Sequence, residues 1–380
     1  MIYRVSDNII SPLGFSSLDN YNAVKQGKTD LKPYNNKFGI TEPFVASLIN
    51  REEISDRFSS INLQNNIKYT ILEQTAILSV YDALTQANID VNSEKTLFIL
   101  STTKGNVDLL EKNEFFENKR VHLWRSAQLI AQFFNNPVEP IVVSNACISG
   151  VAAQICAERN LKSGRYKHAI VVGVDLLSKF IISGFQSFKA LSPEKCKPFD
   201  ANRTGLNLGE GAATVIYSTE NVNISENFIT LNGGAICNDA NHISGPSRTG
   251  EGLYNAINQT LQFIAQNDIA FINAHGTATP FNDDMESVAI ERAGLNDILI
   301  NSLKGYFGHT LGAAGLLETV ISFHSLIDNN VLKSMGLEHT GVTAPIKVCE
   351  KNYNTHKNTF IKLVSGFGGV NAAIALKKTV

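Results

Sequence analysis

The chain has 380 residues, beyond the roughly 250–300 at which one hydrophobic core stops growing, so two packed halves are expected and a single small module is excluded. Hydrophobic residues make up 43% before glycine is counted and charged residues only 18%, which excludes global disorder and suits a chain that hides surface in a large core or an apolar partner interface. A formal net charge of −2 with no block of like charges gives neither a nucleic-acid footprint nor a polybasic membrane patch.

Met1-Ile2-Tyr3-Arg4-Val5-Ser6-Asp7 has no apolar targeting core, and the apolar stretch 169–185 is interrupted by Asp175 and Lys179, so a soluble, cytoplasmic protein is expected. In chain order, short β-branched runs that close on turn residues alternate with amphipathic stretches, the pattern of an α/β protein with buried parallel strands. Strands are predicted over 141–144, 169–174, 213–217, 269–274, 299–301 and 360–364. Helices are predicted over 67–87, 125–134, 148–163, 253–266, 284–293 and 311–328. The polar stretch 218–227 reads as a hinge between an N-terminal half, 1–220, and a C-terminal half, 225–380. A weak internal echo links them. Ile141-Val142-Val143-Ser144 leads to Cys147 and a small-residue helix, and Leu299-Ile300-Asn301-Ser302 leads to His309 and Leu311-Gly312-Ala313-Ala314-Gly315. Each half is therefore expected to present the C-terminal end of a strand to a shared cleft.

Five cysteines without a C-x-x-C spacing argue against a disulfide framework and a zinc knuckle. Cys147 differs from Cys156, Cys196, Cys237 and Cys349 because it follows a buried strand and stands at the first turn of a helix, where the positive end of the helix dipole favours thiolate. On that segment alone, a nucleophile and a small buried hydrophobe are equally ready readings. His275 and His309 stand out among eight histidines because each follows a strand and sits in a glycine-flanked turn. Imidazoles so placed in one half can meet a cysteine from the other.

These segments, taken in order, resemble an elongating β-ketoacyl-acyl-carrier-protein synthase of the thiolase-like superfamily, a Cys-His-His ketosynthase. The matching stretches include Ser11-Pro12-Leu13-Gly14, the Cys147 turn, Pro198-Phe199-Asp200 with Arg203-Thr204-Gly205, and Gly209-Glu210-Gly211-Ala212. They continue through Asp239-Ala240-Asn241-His242, His275-Gly276-Thr277-Ala278-Thr279-Pro280, Gly308-His309 and Gly366-Phe367-Gly368-Gly369-Val370-Asn371. The resemblance implies a thiolase-like α/β fold of two similar halves, with layered mixed sheets around buried helices. It implies an acyltransferase that condenses malonyl-carrier protein, with loss of carbon dioxide, onto an acyl chain held by Cys147.

By the same resemblance, the backbone N–H groups of Cys147 and Phe367 form an oxyanion hole, and His275 and His309 donate to the malonyl thioester carbonyl. Lys304 pairs with Glu286, Asp283 joins that supporting network, and Thr277 and Thr279 face the phosphopantetheine arm. Phe367 gates the acyl site. No metal and no resident cofactor are implied, since the phosphopantetheine arrives on the carrier protein. The expected partners are acyl- and malonyl-loaded carrier protein and a second subunit, either a second copy or a paralogous ketosynthase-like chain. Lys119, Arg120 and Lys197 are candidates for a basic rim that meets the acidic carrier. Three departures alter the acyl site: Asn282 where a glycine is common, Ile148 after the nucleophile, and Ser365 in place of an aromatic beside Phe367. Together with a chain shortened around 108–121 they lean toward a specialised polyketide or aryl-polyene pathway over fatty-acid synthesis. The non-enzymatic alternative is a chain-length-factor-like subunit, which usually lacks the nucleophile.

Overall fold

The computed structural model describes residues 1–62, 67–111, 113, 115–221 and 228–379. The strands that build its main sheet are β1 (Tyr3–Ile10), β2 (Thr96–Ser101), β3 (Ile141–Val143), β4 (His168–Asp175), β5 (Gly211–Ser218), β6 (Phe228–Asn238), β7 (Ile269–Asn273), β8 (Leu299–Asn301), β9 (Lys347–Val348), β10 (Thr359–Gly366) and β11 (Val370–Thr379). The helices that matter here are α1 (Ile71–Leu84), α2 (Leu123–Phe133), α3 (Ser149–Lys162), α4 (Lys179–Ser187), α5 (Glu251–Leu261), α6 (Pro280–Arg292) and α7 (Ala314–Ile327).

The strand order is β9-β8-β7-β10-β11-β6-β1-β5-β4-β2-β3. The layered mixed sheets that the resemblance implies are continuous with each other, because Tyr3 of β1 pairs with Thr230 of β6 and Leu231 N–H donates to Ile2 O at 2.9 Å. The sheet is mixed: β2 runs parallel to β3 and β4, and β7 parallel to β8 and β10, while β5, β11 and β6 are antiparallel to their neighbours. The polar stretch read as a hinge begins inside β5, and residues 222–227 lie outside the described residues.

Helices α3 and α7 lie between the two wings of the sheet and contact each other and strands of both. A helix in that place must be apolar all round. Accordingly Leu316, Leu317, Val320 and Ile321 of α7 and Val151 and Ile155 of α3 are buried in one hydrophobic cluster with residues of β1, β5, β10 and β11. Two further clusters fill the outer faces, one under α1 and α2 and one under α5 and α6. The small residues of the echoed motifs have a steric cause. A Cβ on Gly150 would stand 2.6 Å from Leu316 N, and one on Gly315 would stand 2.9 Å from Val151 N. The central helices thus cross backbone to backbone, which draws the turns before them into one cleft.

The six predicted strands and six predicted helices all form, with ends shifted by a few residues. β1, β2, β6, β9 and β11 were not among them. β1 carries buried Ser6, Asp7 and Asn8, where Asp7 is satisfied by Arg4 at 2.5 Å and His324 at 3.1 Å. β6 is interrupted by Gly233 and Gly234, and β11 is rich in alanine, so neither has the usual β-branched signature.

Candidate active site

Cys147 follows β3 and precedes α3. The turn bends at Ala146, whose φ of 45° is in the left-handed region that a side chain adopts only when its surroundings enforce it. Ser149 enforces it locally: its Oγ donates to Ala146 O at 2.7 Å and accepts from Asn145 N at 2.8 Å. Gly366 closes over the turn, since a Cβ there would lie 3.1 Å from Cys147 N. Cys147 itself stands just outside the helix, with Ile148 as the cap.

His275 follows β7, and its turn is fastened by two carboxylates of α6. Glu286 accepts from His275 N–H at 2.6 Å and Gly276 N–H at 2.8 Å. Asp283 accepts from Thr277 N–H at 3.0 Å, Ala278 N–H at 3.1 Å and Phe199 N–H at 2.8 Å. The turn needs such support because Gly276 and Ala278 both have positive φ, 43° and 61°. His309 follows the short helix Lys304–Phe307, and its N–H donates to Asn207 O at 2.7 Å. The two imidazoles meet edge to face at 5.1 Å between centroids, and Cys147 Sγ and one nitrogen of each ring lie within 4.8 Å of one another. His275 Nδ1 and both ring nitrogens of His309 are buried without a hydrogen-bond partner among the described residues.

These groups line a cleft of about 620 Å³, together with Thr277, Thr279, Asn282, Ser365 and Phe367, a volume in the range of small-molecule sites. The Thr277 and Thr279 hydroxyls lie 2.8 Å apart. Phe367 is 37% exposed at the mouth and packs on Phe185 and Phe188, at 5.9 and 5.4 Å between centroids. Its backbone N–H acts on the Cys147 sulfur, drawing the thiol's value down slightly.

Burial pushes the Cys147 thiol up to about 11, against the pull of the Lys304 and Lys104 ammoniums. Desolvation of the sulfur thus works against the thiolate that the helix terminus favours. Burial, reinforced by Lys304 and Lys362, holds both imidazoles well below the ordinary histidine value. The cleft therefore brings together one thiol and two uncharged imidazoles.

Other expectations are also corrected. Lys304 does not pair with Glu286, whose oxygens are taken by backbone N–H groups; it is fully buried and its Nζ binds Glu318 of α7. Lys304 is not among the residues that line the cleft, so it acts on the three reactive groups through its charge. Ser365 does not leave Phe367 short of aromatic partners; its hydroxyl is turned inward to Asn371 Oδ1 at 2.7 Å, and α4 with Phe188 supplies the rings. Arg120 is no rim residue, being buried against Glu73 at 2.8 Å, and Lys197 is engaged by Glu338 at 3.2 Å. Sequence reasoning missed Glu318, Lys362 and Asp175. Asp175 is fully buried and accepts from Thr102 Oγ1 at 2.8 Å, Thr103 N–H at 3.0 Å and Gly312 N–H at 2.7 Å, tying two loops to the end of β4.

Comparison with known proteins agrees with this geometry. Residues 16–221 match the family model described as beta-ketoacyl synthase, N-terminal domain, and residues 229–338 the one described as beta-ketoacyl synthase, C-terminal domain. The chain belongs to the beta-ketoacyl synthase family. It is 26% identical to 3-oxoacyl-[acyl-carrier-protein] synthase 2 of Coxiella burnetii, over 97% of this chain and 96% of the relative. Among solved structures it shares its fold with the ketosynthase ApeO, in complex with its chain length factor ApeC, from Xenorhabdus doucetiae, at a TM-score of 0.84 and 24% identity over 99% of this chain and 97% of that one. A beta-ketoacyl synthase from Burkholderia phymatum gives a TM-score of 0.85 at 20% identity, covering 100% of this chain and 99% of that one.

Proposed function

We propose that this chain is a β-ketoacyl-[acyl-carrier-protein] synthase that forms a carbon–carbon bond by decarboxylative condensation, with Cys147 as the acyl carrier and His275 and His309 as the groups that act on the malonyl thioester. The observation that carries this reading is the convergence of one buried thiol and two uncharged imidazoles within 4.8 Å. In the first half-reaction the Cys147 sulfur attacks the carbonyl of an acyl thioester. Because the resting group is a thiol, its proton must pass to an imidazole during attack, and from there to the departing phosphopantetheine sulfur. The N–H of Phe367, which acts on the sulfur at rest, and that of Cys147 stabilise the tetrahedral oxyanion.

In the second half-reaction the malonyl thioester carbonyl lies against the imidazoles. The bond to the carboxylate breaks, carbon dioxide leaves, and its electron pair forms an enolate held by N–H groups of His275 and His309. Uncharged rings suit this step, since each offers an N–H without the risk of protonating the carbanion. The carbanion attacks the acyl-Cys147 carbonyl, the carbon–sulfur bond breaks, and the sulfur takes up a proton. Thr277 and Thr279 are placed to meet the phosphopantetheine arm, while Glu286, Asp283 and Lys304 hold the histidine array from behind. The site so read needs no resident cofactor.

The carrier protein and a second ketosynthase-like subunit are the proposed partners, in the cytoplasm. The low charge content supports an apolar subunit interface, and ApeO is a relative in fold that pairs with a chain length factor. A non-catalytic chain-length-factor role is disfavoured because Cys147, His275 and His309 are all present and converge. Among the described residues no helix is long and apolar enough to cross a membrane. The proposed acyl substrate is a fatty-acid or polyketide chain, and the halves 1–220 and 225–380 are proposed as the cleft's two contributing units. The test is to incubate the chain with acyl-loaded and then malonyl-loaded carrier protein. A carbon dioxide release matched by a β-ketoacyl product supports the reading, and neither appearing refutes it.

A further inference from the structure

Behind the imidazoles lies a lysine that the condensing chemistry does not obviously require. Lys362 sits in the middle of β10, fully buried, where lysine is rarely found unless paired. Its Nζ has two partners. It donates to Ala274 O at 3.1 Å and to the Glu318 oxygen that Lys304 leaves free. Ala274 immediately precedes His275, and Lys362 pairs in register with Asn273 of β7. One ammonium thus joins three elements: the end of the strand that carries His275, the central helix α7, and the strand that runs on to the Phe367 loop.

We propose that Lys362 is a second positioning cation of the active site, which fixes the His275 turn through Ala274 and Glu318 and keeps the imidazole pair in its uncharged, hydrogen-bond-donating form. The inference rests on the condensing role of that pair and says how the pair is controlled.

The charged groups around the pair make the direction clear. Lys304 and Lys362 face it from the short helix and from β10, and Glu318 of α7 lies between the two ammoniums. Glu286 and Asp283 of α6 are turned to the backbone of the His275 turn. Cys147 faces the pair as an uncharged thiol, with Asp175 and Lys104 acting on the sulfur. Both lysines work against protonation of His275 and His309. Burial in turn draws Lys362 below the ordinary lysine value while Glu318 opposes that, and burial pushes Glu286 up against its two N–H donors. A single lysine would already satisfy Glu318. The second cation is therefore surplus to neutralising that carboxylate, and its effect falls on the imidazoles and on Glu286.

The test uses Lys362→Met, Lys362→Gln and Lys362→Arg in the full chain. Met leaves Lys304 and Glu318 as a balanced pair, so no naked charge is created. The expected result for Met is a fall of about tenfold or more in kcat for malonyl decarboxylation at pH 7.5, with KM changed less than about threefold. The acid limb of its pH profile should move up by about one unit, as loss of a neighbouring cation requires. Acylation of Cys147, in which an imidazole only relays a proton, should fall less than decarboxylation does. Gln, which can still donate to Ala274 O, should keep the shifted profile, and Arg should return it toward the parent. A Met variant that loses both half-reactions equally with an unmoved profile would overturn the proposal and leave Lys362 a purely structural residue. The parent chain gives a second reading independent of any variant's folding, by nitrogen-15 NMR of labelled histidine. Both imidazoles should remain uncharged down to about pH 5.5, and a ring titrating near its ordinary value would overturn the proposal. If the parent releases no carbon dioxide, the condensing reading fails, whereas the NMR result still decides the electrostatic claim.

Discussion

The turn that carries Cys147 and the turn that carries His275 both leave the end of a parallel strand and both contain a residue forced to positive φ, yet they are secured by different kinds of group. Around Cys147 the ties are neutral: Ser149 bridges Asn145 and Ala146, and Asp175, the carboxylate that acts on the sulfur, is saturated by hydroxyl and backbone N–H donors. Around His275 the ties are ionic, with two carboxylates on the backbone and a carboxylate between two lysines behind. A nucleophile that gives up its proton only during attack needs placement. A pair of imidazoles that must stay uncharged needs placement and a field as well, and buried cations supply it.

Several substitutions break or sharpen this contrast. The largest effect is expected from Cys147→Ser, which should lower acyl transfer by about a thousandfold or more while the fold persists, because the hydroxyl is nearly isosteric but far less acidic; intact-protein mass spectrometry after incubation with acyl-carrier protein checks it. Next, His275→Ala and His309→Ala should each lower malonyl decarboxylation by about 10²–10⁴-fold, measured as carbon dioxide release. Asp175→Asn turns an amide N–H toward donors already present on Thr103 and Gly312. It should destabilise the fold by about 1–3 kcal/mol, seen as a lower Tm, and slow both half-reactions alike, since it secures loops on the nucleophile's side.

The pH dependence separates the two sides further. A buried group whose folded value is raised keeps its proton longer than in the unfolded chain. Alkylation of Cys147 by iodoacetamide, followed by peptide mapping, should therefore still be rising at pH 9 on its way to about 11. The histidines are depressed, so carbon dioxide release should hold as the pH falls through about 6.5, where an ordinary imidazole would become charged. The smallest effect concerns the mouth of the cleft. Phe188→Ala removes one of the two rings that Phe367 rests on and should change acylation rates by about two- to fivefold, more for rigid unsaturated donors than for short saturated ones.

The reactive groups were legible in the amino-acid sequence because strand ends followed by glycine and small residues have few other uses, and Cys147, His275 and His309 share that setting. Their support was not. Lys362 stands alone in the apolar run Phe360-Ile361-Lys362-Leu363-Val364 and Glu318 sits in an otherwise apolar helix, each with nothing local to announce a partner. Lys304 and Glu286 lie closer in sequence than Lys304 and Lys362, yet it is Lys362 that shares Glu318 with Lys304, because β10 and α7 bring those groups together. Arg120 reads as a surface cation until the buried Glu73 of α1 is placed beside it. Charges buried by distant segments are invisible to local pattern.

The most direct test of the central claim follows the acyl group itself. After incubation with acyl-carrier protein, peptide-level mass spectrometry should find the acyl mass on Cys147 alone, and addition of malonyl-carrier protein should discharge it as carbon dioxide and a β-ketoacyl product appear in equal amounts. An acyl group on any other residue, or an acylated Cys147 that persists after malonyl-carrier protein is added, would contradict the account.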